Sequence, residues 1–160
     1  MIFSTIIPTH NRAHLLAASI DSALAQDFGD HEVIVVDAES TDETPEVLAR
    51  YTDRITVVRG ANGGPGAVRN LGVAQASGEY ITFLDSDDLW FPWTLATFHR
   101  AIEEQGRPAF VAGTHVDFYG EVEPLPSAPG PYQVRRHRDY FAAAAARELW
   151  IGTCGHASES

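Results

Sequence analysis

Three carboxylates follow a short apolar run near the middle of the chain. The run Ile81 to Leu84 predicts a buried strand, and Asp85, Asp87 and Asp88 come directly after it. Carboxylates this close repel one another unless a cation or hydrogen-bond donors neutralise them. A hard divalent ion, Mg²⁺ or Mn²⁺, suits two such oxygens and keeps positions open for water and phosphate. The spacing alone is equally compatible with a polar turn that caps the next helix.

Strands and helices alternate in the part of the chain that leads to this cluster. The apolar or β-branched runs predict strands over Met1 to Ile7, Glu32 to Asp37, Ile55 to Arg59 and Glu79 to Leu84. Between them we expect three helices: one capped by Asn11 and running to about Gln26, one opened by the capping box Ser40 to Glu43 and running to about Tyr51, and one over Ala67 to Ala76. This order predicts a mainly parallel sheet with helices on both faces.

In such a sheet the carboxyl ends of the strands share one edge, where ligands bind at the reversal of strand order. That edge is predicted to carry Pro8 and Thr9, Asp37, Asn62 and the acidic cluster Asp85 to Asp88. Further on, Pro92 predicts the first turn of a helix to about Gln105. The remaining patterns predict a fifth strand, a helix and a last short strand, over Phe110 to Phe118, Asp139 to Leu149 and from Ile151.

Composition limits the partners and the chemistry. The chain has 160 residues, 44% of them hydrophobic, and a net charge of −11, which fits one domain and argues against a nucleic-acid partner. All 11 basic residues are arginine, so mechanisms that need a P-loop lysine or a Schiff-base lysine are excluded. The loop after the first strand has no glycines, which disfavours a dinucleotide-binding Rossmann domain.

Four sequence motifs, in order, resemble the family 2 glycosyltransferases of the GT-A fold. They are Ile6 to Arg12, Glu32 to Thr44, Asn62 to Gly72, and Gly78 to Asp88. The resemblance covers roughly residues 2 to 105. It implies an α/β, Rossmann-like fold that binds a nucleotide diphosphate sugar, most often uridine-linked, and transfers the sugar to an acceptor hydroxyl with inversion.

The resemblance also implies roles for individual residues. Pro8 and Thr9 would offer backbone contacts to the nucleotide, and Asp37 would accept the N–H of a pyrimidine ring. The remaining nucleotide-sugar residues would be Asn11, Arg12, Asn62, Arg69, Asp85 and Ser86, and the metal ligands for Mn²⁺ or Mg²⁺ would be Asp87 and Asp85. Because Asp37 is followed by Ala38 and Glu39 instead of continuing the family's usual Asp-Asp-Gly-Ser pattern, Glu39 is not assigned a role.

The downstream carboxylate that serves similar enzymes as general base has no convincing counterpart before Ser160. Asp117 is the best stand-in, although an ordinary polar role at a strand end explains it as well. We therefore expect a single glycosyltransferase domain, truncated at the C-terminus, with residues 1–105 as the nucleotide-sugar half and 106–160 as an incomplete acceptor-side part. The alternative is a non-catalytic module that retains nucleotide-sugar binding.

The expected acceptor is a carbohydrate or lipid-linked molecule, as in polysaccharide or glycoconjugate synthesis. The single Cys154 fits a reducing compartment, and no signal peptide or membrane span is predicted, so we expect a cytoplasmic protein. The basic run 135–138 could contact anionic lipid at the inner face of a membrane, or it could be a solvated approach to a helix. The sequence does not indicate an oligomeric state.

Overall fold

The structure is a computed structural model that describes residues 1–113, and its centre is a four-stranded sheet. The strands are β1 (Phe3–Thr9), β2 (His31–Asp37), β3 (Thr56–Arg59) and β4 (Tyr80–Phe83). They alternate with the helices α1 (Ala13–Leu24), α2 (Thr44–Leu48), α3 (Pro65–Val73) and α4 (Thr94–Glu104). Every strand pair is parallel, and the strand order is β3-β2-β1-β4. The predicted parallel α/β sheet is confirmed.

Successive side chains of β1 divide the core into two layers. Ile7 packs with Leu16 of α1 and Leu48 of α2 on one face of the sheet. Ile6 packs with Val68 of α3 on the other face. Because neighbouring residues in a strand point to opposite faces, these contacts show that helices cover both sides of the sheet, as predicted.

Strand β1 extends beyond the proline that was predicted to stop it. Pro8 lies inside β1 and is in register with Val36. The carbonyl of Ile6 accepts the Leu84 N–H on the β4 side, and the carbonyl of Thr9 accepts the Ala38 N–H on the β2 side. The backbone groups of successive residues point alternately to the two sides of a strand, so the nitrogen of Pro8 faces the β4 side. Strand β4 has already ended at this point, so the lack of an N–H in proline costs no hydrogen bond of the sheet.

The predicted caps of the first two helices are wrong. Helix α1 begins at Ala13, and its first N–H is bound by the Oδ2 atom of Asp42 at 3.0 Å, not by Asn11. Asn11 has a left-handed backbone, with φ of 52°. Helix α2 begins at Thr44, after the predicted capping box, and ends at Leu48 instead of near Tyr51. Asp42 therefore caps the neighbouring helix across space through Oδ2, while its Oδ1 atom accepts the N–H of Thr44, the first residue of α2, at 3.0 Å.

The last two helices also begin at positions other than those predicted. Helix α3 begins at Pro65, preceded by Gly64 with φ of 90°, because proline is tolerated at the first helical position and glycine adopts positive φ without strain. Helix α4 begins at Thr94, two residues after Pro92. In its first turn, the N–H of Leu95 is bound by the Oε1 atom of Gln26 at 3.0 Å.

Strand β4 is less buried than its apolar sequence predicted. Leu84 is 1% exposed, but Phe83 is 42% exposed, because β4 is an edge strand of the sheet within residues 1–113. Residues 110–113, at the start of the predicted fifth strand, are not in a strand. The rest of that strand, with Asp117, and the predicted elements after it lie outside the described residues.

Candidate functional site

A cleft of about 390 Å³ opens at the carboxyl ends of β1 and β4. Strands β2 and β3 lie on one side of β1 and β4 lies on the other, so the strand order reverses at this point. The cleft is where the sequence predicted a ligand site. Its lining residues are Pro8, Thr9, His10, Arg12, Ala38, Asn62, Pro65, Val68, Arg69, Asp85, Ser86 and Asp87.

Most of the residues predicted for the site line this cleft, but Asn11 and Asp37 do not. Asp37 is only 3% exposed, and its Oδ1 atom accepts the N–H of Ser40 at 3.0 Å. Its Oδ2 atom lies 3.9 Å from the Nε atom of Arg59. Ala38, the next residue in the chain, is part of the lining. The sequence reasoning missed four lining residues, although each lies inside or beside one of its motifs: His10, Ala38, Pro65 and Val68.

Two arginines neutralise the first two carboxylates of the acidic cluster. The Nη1 atom of Arg12 lies 2.6 Å from the Oδ2 atom of Asp87, and the Nη2 atom of Arg69 lies 2.6 Å from the Oδ1 atom of Asp85. The side chains of Asp85 and Asp87 are 17% and 22% exposed, so both pairs lie partly in water. Arg69 also lies over the ring of Phe83, 5.9 Å from its centroid. The neutralising charge that Asp85 and Asp87 require is supplied here by guanidinium groups.

Thr9 brings a buried hydroxyl to the wall of the cleft. The residue is 4% exposed, and its Oγ1 atom has no hydrogen-bond partner within the described part of the chain. A buried hydroxyl without a partner costs about 1–3 kcal/mol. This hydroxyl is therefore suited to a polar group of a ligand in the cleft.

The loops that follow β1 and β2 are joined into one wall. The Nδ1 atom of His10 lies 2.7 Å from the carbonyl oxygen of Ala38. The N–H of Asn11 donates to the hydroxyl of Ser40 at 3.0 Å, and the Oδ1 atom of Asn11 accepts the N–H of Thr41 at 2.8 Å. The left-handed backbone of Asn11 fits this role, because Asn tolerates that conformation better than most residues. Asn11 thus joins the two loops that form the wall of the cleft, although it does not itself line the cleft.

The donor set of the cleft fits a divalent cation that takes other ligands from substrate and water. Asp85 and Asp87 supply carboxylate oxygens, which Mg²⁺ and Mn²⁺ prefer. Within residues 1–113, no three His, Cys, Asp or Glu side chains converge as a ready-made metal cage. Two protein carboxylates are nevertheless typical of sites in which phosphate oxygens complete the coordination.

The sequence model of the family described as glycosyl transferase family 2 matches residues 4–156. The chain belongs to this family. It is 41% identical over 91 residues to an uncharacterized glycosyltransferase of Rickettsia typhi, a match that covers 57% of this chain and 29% of that protein. It is 38% identical over 110 residues to the poly(ribitol-phosphate) beta-N-acetylglucosaminyltransferase TarS of Staphylococcus aureus, covering 65% of this chain and 19% of TarS.

Solved structures show the same fold. The crystal structure of S. aureus TarS 1–349 in complex with UDP superposes with a TM-score of 0.63 at 37% identity, covering 66% of this chain and 33% of that one. The mannosyltransferase PcManGT of Pyrobaculum calidifontis, in complex with GDP-Man and Mn²⁺, gives a TM-score of 0.59 at 31% identity, covering 62% and 32%. These neighbours are GT-A glycosyltransferases, which confirms the predicted fold. This chain spans no more than about a third of the length of these four matched sequences and structures.

Helix α1, the longest of the described helices, has 12 residues. No helix within residues 1–113 is long and apolar enough to cross a membrane.

Proposed function

We propose that the cleft at the carboxyl ends of β1 and β4 binds a nucleotide diphosphate sugar and that the protein transfers the sugar to an acceptor hydroxyl. The observation that carries this proposal is the convergence of Asp85, Asp87, Arg12 and Arg69 in one cleft at the reversal of strand order. Guanidinium groups bind phosphate oxygens in bidentate geometry, and carboxylates bind divalent cations. The cleft thus combines both kinds of group that a diphosphate requires.

Each guanidinium is proposed to contact the diphosphate when the donor binds. Arg12 and Arg69 each hold one carboxylate in the structure, so binding would move them from Asp87 and Asp85 to phosphate oxygens. The two carboxylates would then be released to hold Mn²⁺ or Mg²⁺. When bound, such a cation stabilises the negative charge of the departing diphosphate as a Lewis acid.

The nucleoside is proposed to lie along the wall formed by the loops after β1 and β2. Pro8 and Thr9 would contact it, with the free hydroxyl of Thr9 as a hydrogen-bonding group. Asp37, buried next to Ala38 of the lining, would accept the ring N–H of the base through Oδ2, which now lies 3.9 Å from the Nε atom of Arg59 and does not bind the Ser40 N–H. Asn62 and Ser86, which also line the cleft, would complete the donor site, and Asn11 would act indirectly by holding the wall.

We propose a uridine-linked donor. TarS, which is 37% identical over the matched region, has been crystallised with UDP and with UDP-GlcNAc. PcManGT, which was crystallised with GDP-Man, is 31% identical and supports the same class of donor with a different base. The identity of the base can therefore be determined directly by experiment.

The transfer is proposed to invert the anomeric carbon. A general base would remove the proton of the acceptor hydroxyl while that oxygen attacks the sugar carbon from the side opposite the diphosphate. Asp117 remains the sequence prediction for this base and lies outside the described residues. The carbohydrate or lipid-linked acceptor and contact with a membrane surface remain proposals too.

Calorimetric titration tests the donor site. We expect UDP to bind more tightly with Mn²⁺ than without it, and more tightly than GDP under the same conditions. Incubation with UDP-sugars and detection of released UDP then tests transfer or hydrolysis. Binding without any turnover would favour the non-catalytic nucleotide-sugar module, and failure of UDP and GDP to bind with either metal would contradict the proposed function.

A further inference from the structure

A stripe of polar side chains on α1 contacts the backbone that follows the acidic turn. Ser19, Ser22 and Gln26 are spaced three and four residues apart, so they lie on one side of the helix and its end. None of them lines the cleft. Their partners lie in residues 88–95, which connect the turn to α4 and are called here the connecting segment.

The contacts are made to main-chain groups. The Ser19 hydroxyl donates to the carbonyl oxygen of Asp88 at 2.8 Å, and the Ser22 hydroxyl accepts the N–H of Trp90 at 3.2 Å. The Nε2 atom of Gln26 donates to the carbonyl oxygen of Phe91 at 2.8 Å. Because main-chain atoms are bound, these side chains hold the backbone of the segment in place. The contacts do not depend on which side chains the segment carries.

Gln26 uses both ends of its amide. While Nε2 binds Phe91, Oε1 accepts the N–H of Leu95 in the first turn of α4 at 3.0 Å. Helix α4 receives no cap from the side chain of its own N-cap residue, Trp93. One side chain from α1 thus holds the connecting segment and caps the helix that follows it.

The acidic turn is consequently fixed at both ends. At its start, Leu84 is 1% exposed and its N–H donates to the carbonyl oxygen of Ile6 at 3.1 Å. Within the turn, the N–H of Asp88 donates to the carbonyl oxygen of Asp85 at 3.0 Å. At its end, the carbonyl of Asp88 is held by Ser19. The connecting segment, which the N–H of Asp27 also holds through the carbonyl oxygen of Pro92 at 2.7 Å, therefore helps to keep the two carboxylates of the cleft at their spacing.

We propose that Gln26 and Ser22 are positioning residues for the acidic turn, which set the distance between the carboxylates of Asp85 and Asp87 through the main chain of the connecting segment. This inference rests on the proposed function of the cleft. Residues that orient metal ligands without touching the metal change metal affinity by about 10-fold to 100-fold when they are replaced. We expect an effect of that size on the binding of Mn²⁺ and UDP.

The test compares variants of Gln26 with a matched control. Gln26→Met keeps the length of the side chain and removes its three hydrogen bonds, to the carbonyl oxygens of Ser22 and Phe91 and to the Leu95 N–H. Gln26→Glu keeps an acceptor for the Leu95 N–H and loses the donor to the carbonyl oxygens of Phe91 and Ser22, so it separates capping of α4 from positioning of the segment. Ser22→Ala removes the acceptor of the Trp90 N–H, together with a hydrogen bond to the Ser19 carbonyl within α1, without a change of charge. Gln75→Met, at an exposed position after α3, is the control.

Two measurements are made on each variant. Hydrogen exchange followed by mass spectrometry reports the mobility of residues 84–95 without any ligand. Calorimetry with UDP and Mn²⁺, at a temperature well below thermal unfolding, reports affinity. We expect faster exchange in this segment and about 10-fold to 100-fold weaker binding for Gln26→Met, with a smaller loss for Ser22→Ala and no change for Gln75→Met. Gln26→Glu should be more thermally stable than Gln26→Met, but it should bind UDP and Mn²⁺ no more tightly.

The proposal is overturned if Gln26→Met binds UDP and Mn²⁺ as the unchanged protein does. It is also overturned if Gln26→Glu regains affinity together with stability, because Gln26 would then act only as a cap of α4. If the unchanged protein does not bind UDP, the proposed function fails instead. In that case hydrogen exchange at Asp85 to Asp88 still decides whether Gln26 holds the turn: unchanged exchange in Gln26→Met would overturn the positioning role, and faster exchange would support it.

Discussion

The Nη1 atom of Arg12 lies 2.6 Å from the Oδ2 atom of Asp87, a residue 75 positions later in the chain. Arg12 follows β1 and Asp87 follows β4, so this pair spans the point at which the strand order reverses. In the proposed function, the same two side chains separate to receive a phosphate group and a cation. The pair therefore gives the first direct test of the site.

Replacement of Asp87 by Asn should remove the effect of Mn²⁺ on UDP binding. The amide keeps the size of the side chain but loses the charge that holds a divalent cation, so we expect UDP affinity in the presence of Mn²⁺ to fall by about tenfold or more. Calorimetry with and without Mn²⁺ measures this. Asp53→Asn, at an exposed position before β3, is the matched control, and an unaltered Mn²⁺ effect in Asp87→Asn would contradict the metal site.

Replacement of Arg69 by Lys should weaken UDP binding although the charge is kept. A guanidinium can bind two phosphate oxygens at once and can lie against the Phe83 ring, whereas an ammonium is a single point charge. We expect a loss of roughly tenfold in affinity, measured by the same titration. Arg50→Lys, at an exposed position two residues after α2, should bind UDP as the unchanged protein does. Equal affinity of the two variants would argue against a contact between Arg69 and the diphosphate.

Two glycines of α3 should respond in opposite directions to replacement by alanine. A Cβ atom at Gly72 would lie 2.5 Å from the Cγ2 atom of the buried Ile6, whereas a Cβ atom at Gly66 would meet nothing within 4 Å. We expect Gly72→Ala to lower the free energy of unfolding by about 1–3 kcal/mol through overpacking. Gly66→Ala should raise it by about 0.5–1 kcal/mol, because alanine loses less conformational entropy in a helix.

Urea unfolding at constant temperature measures both changes. A Gly72→Ala variant as stable as the unchanged protein would mean that α3 can move away from β1 at little cost.

Glu32 should stabilise the fold in a pH-dependent manner. Burial opposes its charged form, but hydrogen bonds from the Ser4 hydroxyl and from the amide and hydroxyl of Ser77 outweigh burial, so the pKa of Glu32 lies below its usual value. A carboxyl with a lowered pKa binds its proton more weakly in the folded state than in the unfolded state. Its contribution to stability is therefore complete above the ordinary glutamate pKa and is lost as the pH falls through the folded value.

Unfolding by urea at neutral and acidic pH tests this contribution. Glu32→Gln should be less stable than the unchanged protein at about pH 7, and the difference should shrink toward about pH 3. Glu103→Gln, at an exposed position near the end of α4, is the control. A stability difference that does not depend on pH would show that the charge of Glu32 is not what stabilises the fold.

The alternation of strands and helices, and the edge at which the ligand site lies, could be predicted because both follow from local patterns. The β-branched run before Asp37 and the apolar run before Asp85 each specify a strand and the polar residue at its end. Once the strands are parallel, their carboxyl ends must share an edge. The residues of the cleft that were missed, such as His10, are close in sequence to residues that were found.

The partners of individual side chains could not be predicted, because they join distant parts of the chain. Asp42 was interpreted as part of a cap for its own helix, and its Oδ1 atom does accept the N–H of Thr44 at the start of α2, but its Oδ2 atom also binds the first N–H of α1. Pro8 was expected to end a strand, but it is accommodated because β4 ends first. The pairing of each aspartate with its arginine likewise depends on how close the turn after β4 lies to the loop after β1 and to α3, which no local pattern specifies.

The charge of the cleft also affects how its ligands would bind. Arg12 and Arg69 together cancel Asp87 and Asp85, so this part of a protein with a net charge of −11 is locally neutral. A dianionic donor that enters together with a divalent cation leaves that neutrality unchanged. Added salt should therefore weaken the joint binding of the two far less than it weakens the binding of either one alone, because screening acts on uncompensated charge.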